Sequence, residues 1–482
     1  MATAPLGPSF GGRLVRPGDP DYDEDRRVWN GSVDRSPALI AHCAGVADVI
    51  DAVRFAAASG APVAVRSGGH SFPGQSVCDG GTVIDLSALR GIRVDPAART
   101  VRAQAGVLLG ELDRETQAFG LAVPSGIVTH TGIAGLTLGG GIGWLMRKYG
   151  LTVDQLLAVD LVTADGALVK ASADENPDLF WGVRGGGGNF GIVTEFTYRL
   201  HPVGPVVLAG PILWPMAESA RLLRFYREWI TSVPDELTTA VVHRKAPAVG
   251  YLPPEVHGKP VVMVVCCYAG PVEEGQEVLR PLRAWGPPLL DLCTPKPFTE
   301  HQALFDPSFP HGRWYYFKSC DVDRLSDEVI DRTAEHASRI ASPLTAFPIF
   351  QLGGAVARVP EDATAFGGRH SGHTFNINAT TEGPEGFEAE RDWARGLWSA
   401  LAPHQTGVYA NFLMEEGEDR VRQAYGPQKY RRLQELKRRY DPGNLFRLNQ
   451  NIPPAPTPVP ARHTPPSAVS GAAASSGRSG DR

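Results

Sequence analysis

The chain has 482 residues, 43% of them hydrophobic and 21% charged, with a formal net charge of -5. That length exceeds one ordinary core and calls for two domains, and the composition is that of a soluble globular protein. The mild acidity leaves no electrostatic footprint for nucleic acid or an anionic membrane, so neither is expected as a partner. Met1–Phe10 has no apolar run of signal-peptide length, and no segment is apolar enough to span a bilayer. The six cysteines lack metal-ligand spacing and a disulfide pattern, so a cytoplasmic location and no metal are expected.

After a lead-in over residues 1–33, strand and helix signals alternate from 34 to 203. Val46–Ala58 has helical spacing, with Val46, Val49, Ile50, Val53 and Ala57 on one side and Gly60 as its stop. A strand over Pro62–Arg66, strands at Thr82–Leu86 and Thr100–Gln104, and a helix over Leu108–Phe119 follow. Asp165-Gly166 is a hairpin signal between Ala158–Thr163 and Ala167–Lys170, and Gly191–Tyr198 reads as a last strand.

Pro202-Val-Gly-Pro205 marks a boundary, and residues 204–405 read differently. A strand over Val206–Trp214 precedes a helix, Met216–Ile230, with Leu222, Leu223, Tyr226, Trp229 and Ile230 along one stripe. Strands near Thr238–His243 and Val261–Tyr268 and a helix from Val272 complete the pattern of an antiparallel sheet covered by helices. Cys266 and Cys267 fall in the second of these strands, where buried structural thiols are expected. Residues 406–452 hold Val408–Phe412 and a Lys/Arg-rich helix, Pro427–Tyr440, with Leu433 and Leu436 inward and Asp441-Pro-Gly443 as its stop. The Pro-, Ala-, Ser- and Gly-rich stretch 453–482 is expected to be a disordered tail.

Two glycine-dense loops carry the chemistry. Arg66-Ser-Gly-Gly-His-Ser71 ends an apolar strand, and Thr131-Gly-Ile-Ala-Gly-Leu-Thr-Leu-Gly-Gly-Gly-Ile-Gly143 follows downstream. Glycine is costly unless the backbone needs φ > 0 or a close approach, and consecutive backbone N–H groups form nests for anions. Two such loops, one carrying the imidazole of His70, suggest a planar, phosphate-bearing cofactor: a flavin tethered through His70. Gly132-Ile-Ala-Gly135 followed by Gly139-Gly-Gly-Ile-Gly143 is not the G-x-G-x-x-G of a Rossmann strand–turn–helix, which disfavours a nicotinamide enzyme. His370-Ser-Gly-His373 lacks a Cys or carboxylate to complete a metal set and reads as a loop beside the pocket.

These loops, with Ile84-Asp-Leu-Ser87, Arg147-Lys-Tyr-Gly150, Gly185–Val193, Tyr409-Ala-Asn-Phe412, Asp441–Arg447 and Asn449–Ile452, resemble the berberine bridge enzyme-like flavoprotein oxidases. These belong to the vanillyl-alcohol oxidase superfamily, and the resemblance runs from about residue 34 to 452. It implies an α+β fold: an FAD-binding domain of the p-cresol methylhydroxylase (PCMH) type in two parts, 34–203 and 406–452, and a substrate-binding domain, 204–405, with an antiparallel sheet covered by helices.

The resemblance also implies a covalent bond from His70 to the flavin 8α-methyl. Val128 stands where many relatives place a second, cysteinyl tether, so a single tether is expected. The cofactor-binding residues implied are Arg66, Ser67, Gly68, Gly69, Ser71, Gln75, Thr131, Gly132, Gly135, Leu136, Gly139, Gly140, Gly141, Gly143, Trp144, Gly191, Ile192, Val193, Asn411, Asn449 and Asn451. Tyr409, on the family's Tyr-x-Asn-Phe/Tyr strand, is the implied catalytic group, accepting a hydroxyl proton as the neighbouring C–H bond breaks. A free phenol titrates near ~10, so neighbours must tune it or proton and hydride must leave in concert. Tyr149, His130, Ile133 and Arg369 are expected to line the substrate pocket, with Ile133 at the position associated with oxygen access.

The function implied is an FAD-dependent oxidase. It would oxidise a hydroxyl, or an amine-adjacent C–H, of a small sugar or secondary metabolite by hydride transfer to flavin N5, with O2 as reoxidant and H2O2 as product. A dehydrogenase with another electron acceptor is the alternative, and a flavin-binding protein without turnover is the alternative of another class.

Overall fold

Short strands open the fold of the computed structural model, which describes Leu6, residues 9–456, Gly477 and Gly480. Leu39–His42, Thr82–Asp85 and Val63–Arg66 run parallel, and Arg13–Val15 adds an antiparallel edge. Residues before 34 therefore contribute a strand to the first sheet. The Val46–Ser59 helix packs through Val49, Ala52, Val53 and Ala56, with the expected inward Ala57 exposed. The buried stripe centres on Val49 and Val53, and Ala57 lies one step round the helix from it.

A five-stranded antiparallel sheet follows, in the order Ile92–Asp95, Thr100–Gln104, Ile192–Arg199, Leu156–Val162, Leu168–Ser172. The last two form the hairpin expected at Asp165-Gly166, with Gly166 at φ 76° as that tight turn requires.

The second unit is an eight-stranded sheet whose seven-strand path is antiparallel throughout, with Thr294–Pro297 pairing off it. Its strand period of two separates two hydrophobic clusters. Val241, Val264, Ile349, Phe375 and Ile377 pack with Leu222, Leu223 and Tyr226 of the Ser219–Trp229 helix, and with the Val272–Ala284, Asp327–Ala337 and Phe387–Ala400 helices. The alternate residues Ala240, Val242, Val265, Ala346 and Phe350 join the core of the first unit. The sheet thus turns its uncovered face onto the glycine loops and roofs them. Cys266 and Cys267 face these two clusters, and all six thiols are buried.

Beyond residue 406 the chain returns to the first unit. Gln75 Nε2 donates to the Asn449 carbonyl at 2.9 Å, and the fully buried Lys437 reaches Asp441 at 2.7 Å and the Phe446 carbonyl at 2.8 Å. The Tyr409–Phe412 segment, expected as a strand, contains a 3-10 turn, Ala410–Phe412, closed by Phe412 N–H on the Tyr409 carbonyl. The basic helix begins earlier than expected, at Glu418, with a break at Gly426 (φ 69°) so that Pro427 opens its second segment. The expected tail lies, from residue 457 on, outside the described residues apart from Gly477 and Gly480. Among the described residues, no helix is long and apolar enough to cross a membrane.

Candidate active site

Between the glycine loops and the roof sheet lies a cavity of about 350 Å³. Its floor depends on backbone contacts that exclude side chains. A Cβ on Gly68 would stand 2.4 Å from the Gly132 nitrogen, and one on Gly132 would stand 2.5 Å from the Gly68 nitrogen. The two loops touch main chain to main chain, which is why both positions are glycine.

Gly69, at φ 65°, turns the chain after the Val63–Arg66 strand and delivers His70 to the cavity wall. The imidazole stacks on Trp29 at 4.1 Å, and Trp29 stacks on Tyr315 at 3.8 Å. His130 lies 5.1 Å from His70, with His311 a further 5.1 Å behind it. Burial, then the neighbouring His130 and His311, hold the His70 pKa well below its ordinary value. The ring is neutral at pH 7, and its buried Nε2 has no hydrogen-bond partner among the described residues. A neutral imidazole with an uncommitted nitrogen is the form that can bond to carbon.

Tyr409 also faces the cavity, 4% exposed. Its phenolic oxygen accepts the Gly141 N–H at 2.7 Å and an Asn411 Nδ2–H at 2.9 Å. The other Asn411 N–H goes to the Leu136 carbonyl at 3.0 Å. Gly139 makes room for this arrangement, since a Cβ there would stand 2.0 Å from Asn411 Oδ1. Burial pushes the Tyr409 pKa up to about 12, against the pull of the Gly141, Asn411 and Ile142 N–H groups. At neutral pH the group is a phenol whose two lone pairs are both occupied.

Of the residues singled out from the sequence, Ser67, Gly68, Gly69, His70, Ser71, Gln75, Thr131, Gly132, Gly135, Leu136, Gly139, Gly191, Ile192, Val193, Tyr409, Asn411 and Asn449 line this one cavity, as does Val128. Others do not. Arg66 binds Asp85 at 2.7 Å and the Asp25 carbonyl, so its charge is already spent. Gly140 and Gly141, at φ 136° and 87°, turn the chain beneath Tyr409, and a Cβ on Gly143 would strike the Ser125 carbonyl at 1.6 Å. Trp144 is buried against His301 and Phe305. Asn451 lies off the cavity wall, its Oδ1 buried and unpartnered.

None of the four residues expected around the substrate lines this cavity. Tyr149 stacks on His201 at 4.1 Å and donates to the Pro202 carbonyl. Arg369, its side chain fully buried, clamps Asp154 with two bonds of 2.7 and 3.1 Å. Ile133 is 1% exposed inside its helix, whereas Thr131 reaches the cavity. His130 backs His70 rather than lining the wall. His373 begins the His373–Thr381 strand instead of lying in a loop.

The roof supplies wall residues that no motif marked. Val242 and Arg244 alternate on one strand, and Asn376 and Asn378 on another. Asn376 and Asn378 recur at period two, which puts both on one face of their strand. Trp29 carried no sequence signal.

A neutral, unpartnered imidazole beside backbone-lined glycine loops fits a covalently held flavin nucleotide. A model of the FAD binding domain matches residues 37–172, and one described as berberine and berberine like matches residues 408–453. An FAD-linked oxidoreductase of Dictyostelium discoideum is 33% identical over 451 residues, 92% of this chain and 95% of that protein. The chain belongs to the berberine-like FAD-linked oxidoreductases. This oxidoreductase is also 33% identical over 465 residues to the (R)-6-hydroxynicotine oxidase of Paenarthrobacter nicotinovorans, covering 92% of this chain and 97% of that enzyme. The crystal structure of 6-hydroxy-D-nicotine oxidase from Arthrobacter nicotinovorans superposes with a TM-score of 0.84 at 31% identity, covering 94% and 99% of the two chains.

Proposed function

We propose that this FAD-linked oxidoreductase is an oxidase that removes two electrons from a C–H bond beside a hydroxyl or amine of a small organic substrate. The reading rests on His70 and Tyr409 sharing one cavity, the first as a neutral, unpartnered imidazole and the second with its oxygen between two N–H donors. The glycine loops and Asn449 would hold the cofactor, and His70 would bond it covalently. With Val128 where a cysteine would be needed, that bond is the only tether. The chemistry FAD supplies when bound is acceptance of a hydride and return of the two electrons to O2 as hydrogen peroxide.

Tyr409 handles the proton. Once ionised, the phenolate keeps its bonds from Gly141 and Asn411 and would offer its remaining lone pair to the substrate. The substrate O–H proton passes to that oxygen as the C–H bond breaks, a carbonyl forms, and the two N–H donors offset the negative charge beforehand. The buried thiols fit a reducing compartment, and we place the protein in the cytoplasm on that ground.

Acid precipitation of the purified protein tests the tether: the yellow colour stays in the pellet of wild type and is absent from that of His70→Ala. Colour that washes out of wild type refutes it. Peroxide release with a panel of alcohols, sugars and amines tests the oxidase. A reduced protein that O2 fails to reoxidise in stopped flow would be a dehydrogenase.

A further inference from the structure

The cavity roof carries a charge that the oxidation does not use. Arg244, on the Leu237–Lys245 strand, is 3% exposed and lines the cavity. Its Nε donates to the Lys245 carbonyl at 3.1 Å and its Nη1 to Ser308 Oγ at 2.9 Å. Both partners are neutral. The ionisable groups acting on it are the Tyr251 phenol and a second cation, Arg313; among the described residues no carboxylate pairs with it. Burial lowers its pKa only to about 10, so it is a cation at neutral pH. A buried guanidinium without a counter-ion is unfavourable, and such groups concentrate where a ligand supplies the missing charge.

The sheet register shows where that ligand would sit. Arg244 pairs with Ala346, Ala346 with Asn378, and Asn378 with Phe317. With strands about 4.8 Å apart, Arg244 and Asn378 stand roughly 10 Å apart, separated by an alanine that leaves the space between them open. Asn376 and Asn378 both line the cavity, and the buried Oδ1 of each has no partner among the described residues. Phe305, Phe309, Phe317 and Phe350 surround the same space. This is a guanidinium and amides set into an aromatic wall, opposite the glycine loops.

We propose that the substrate is a carboxylic acid: an alcohol or amine with a flat, apolar body, whose carboxylate binds Arg244 while its oxidisable end faces Tyr409. The proposal rests on the oxidase reading for the second half of that statement and on Arg244 alone for the first. Guanidinium suits a carboxylate because two parallel N–H bonds can form. The glycine loops of the first unit would hold the cofactor's phosphates through backbone N–H groups, which would leave Arg244 without that duty.

Binding without turnover separates the two halves. Matched acids and amides (benzoate and benzamide, cinnamate and cinnamamide, 4-hydroxymethylbenzoate and its amide) are titrated into the flavin-loaded protein by calorimetry under anaerobic conditions. Wild type is expected to bind at least one acid tenfold or more tightly than its amide. Arg244→Met should lose that preference while amide affinity holds, and Arg244→Lys should retain part of it. Equal affinity of every acid and amide in wild type, or undiminished acid binding in Arg244→Met, overturns the proposal. So does an Arg244→Met protein purified without flavin while wild type ignores the acids, since the cation would then serve the cofactor's phosphates. If Arg244→Met does not fold, the wild-type pairs decide alone. An acid held through Arg244 but never oxidised leaves the anion site standing and counts only against the oxidase.

Discussion

The pH dependence of substrate oxidation reports directly on Tyr409. Its pKa of about 12 places it five units above neutrality, so about one molecule in 10^5 carries the phenolate at pH 7. Ionising it there costs about 7 kcal/mol, which belongs to the barrier if the phenolate is the base. A neutral phenol cannot take the proton, because Gly141 and Asn411 already occupy its two lone pairs. The rate of anaerobic flavin bleaching should therefore rise about tenfold per pH unit between pH 6 and 9, following the phenolate fraction. Tyr409→Phe should be slower by about 10²–10⁴ and flat with pH. The same substitution leaves two buried N–H groups unpaired and should cost about 2–4 kcal/mol of stability, measured by denaturant unfolding. Stopped-flow absorbance of the flavin band, with substrate held above saturation at each pH, is the assay. A flat wild-type profile, or Tyr409→Phe within threefold of wild type, removes Tyr409 as the base and leaves it only an orienting role.

Val128→Cys should add a second flavin tether, so that the double variant His70→Ala, Val128→Cys keeps its colour through acid precipitation; a colourless pellet would mean Val128 does not face the ring. Gly68→Ala should destabilise the protein by about 1–3 kcal/mol and weaken flavin retention, because its Cβ meets the Gly132 nitrogen at 2.4 Å and backbone must move; an unchanged Tm and flavin content would contradict the loop contact. Asp113, fully buried with one bond of 3.0 Å from Gln302, has its pKa raised by burial to about 7 from 3.8. The folded state holds that proton more tightly than the unfolded chain, so stability is intact below pH 4 and falls by up to about 4 kcal/mol as pH rises through 7. Asp113→Asn should thus gain in Tm over wild type at pH 8 relative to pH 4.5, and a pH-independent difference in thermal melts would refute the assignment.

The fold was legible where the demand on the chain is local. The Thr100–Gln104 strand, the Asp165-Gly166 hairpin and the stop at Gly60 follow from periodicity and left-handed backbone, which neighbours in sequence settle between them. The two glycine loops were legible for a related reason: a glycine marks a place where a side chain would collide, and here the colliding partner is the other loop. What sequence proximity to a motif did not settle was direction. Tyr149, Arg369 and Trp144 do not line the cavity and have partners elsewhere, as Arg369 has in Asp154.

The sequence by itself determined that this chain carries two glycine-dense loops, a histidine in the first and a helix-covered sheet, because glycine sterics and hydrophobic period act over a few residues. Tertiary structure decided which side chains meet in the cavity. Trp29 reaches His70 and Tyr315, and Arg244 reaches the row of Ala346 and Asn378, only because distant strands pair in one register and one sheet face is turned onto the loops. Such contacts depend on packing between segments far apart in the chain, and no single window of residues contains them.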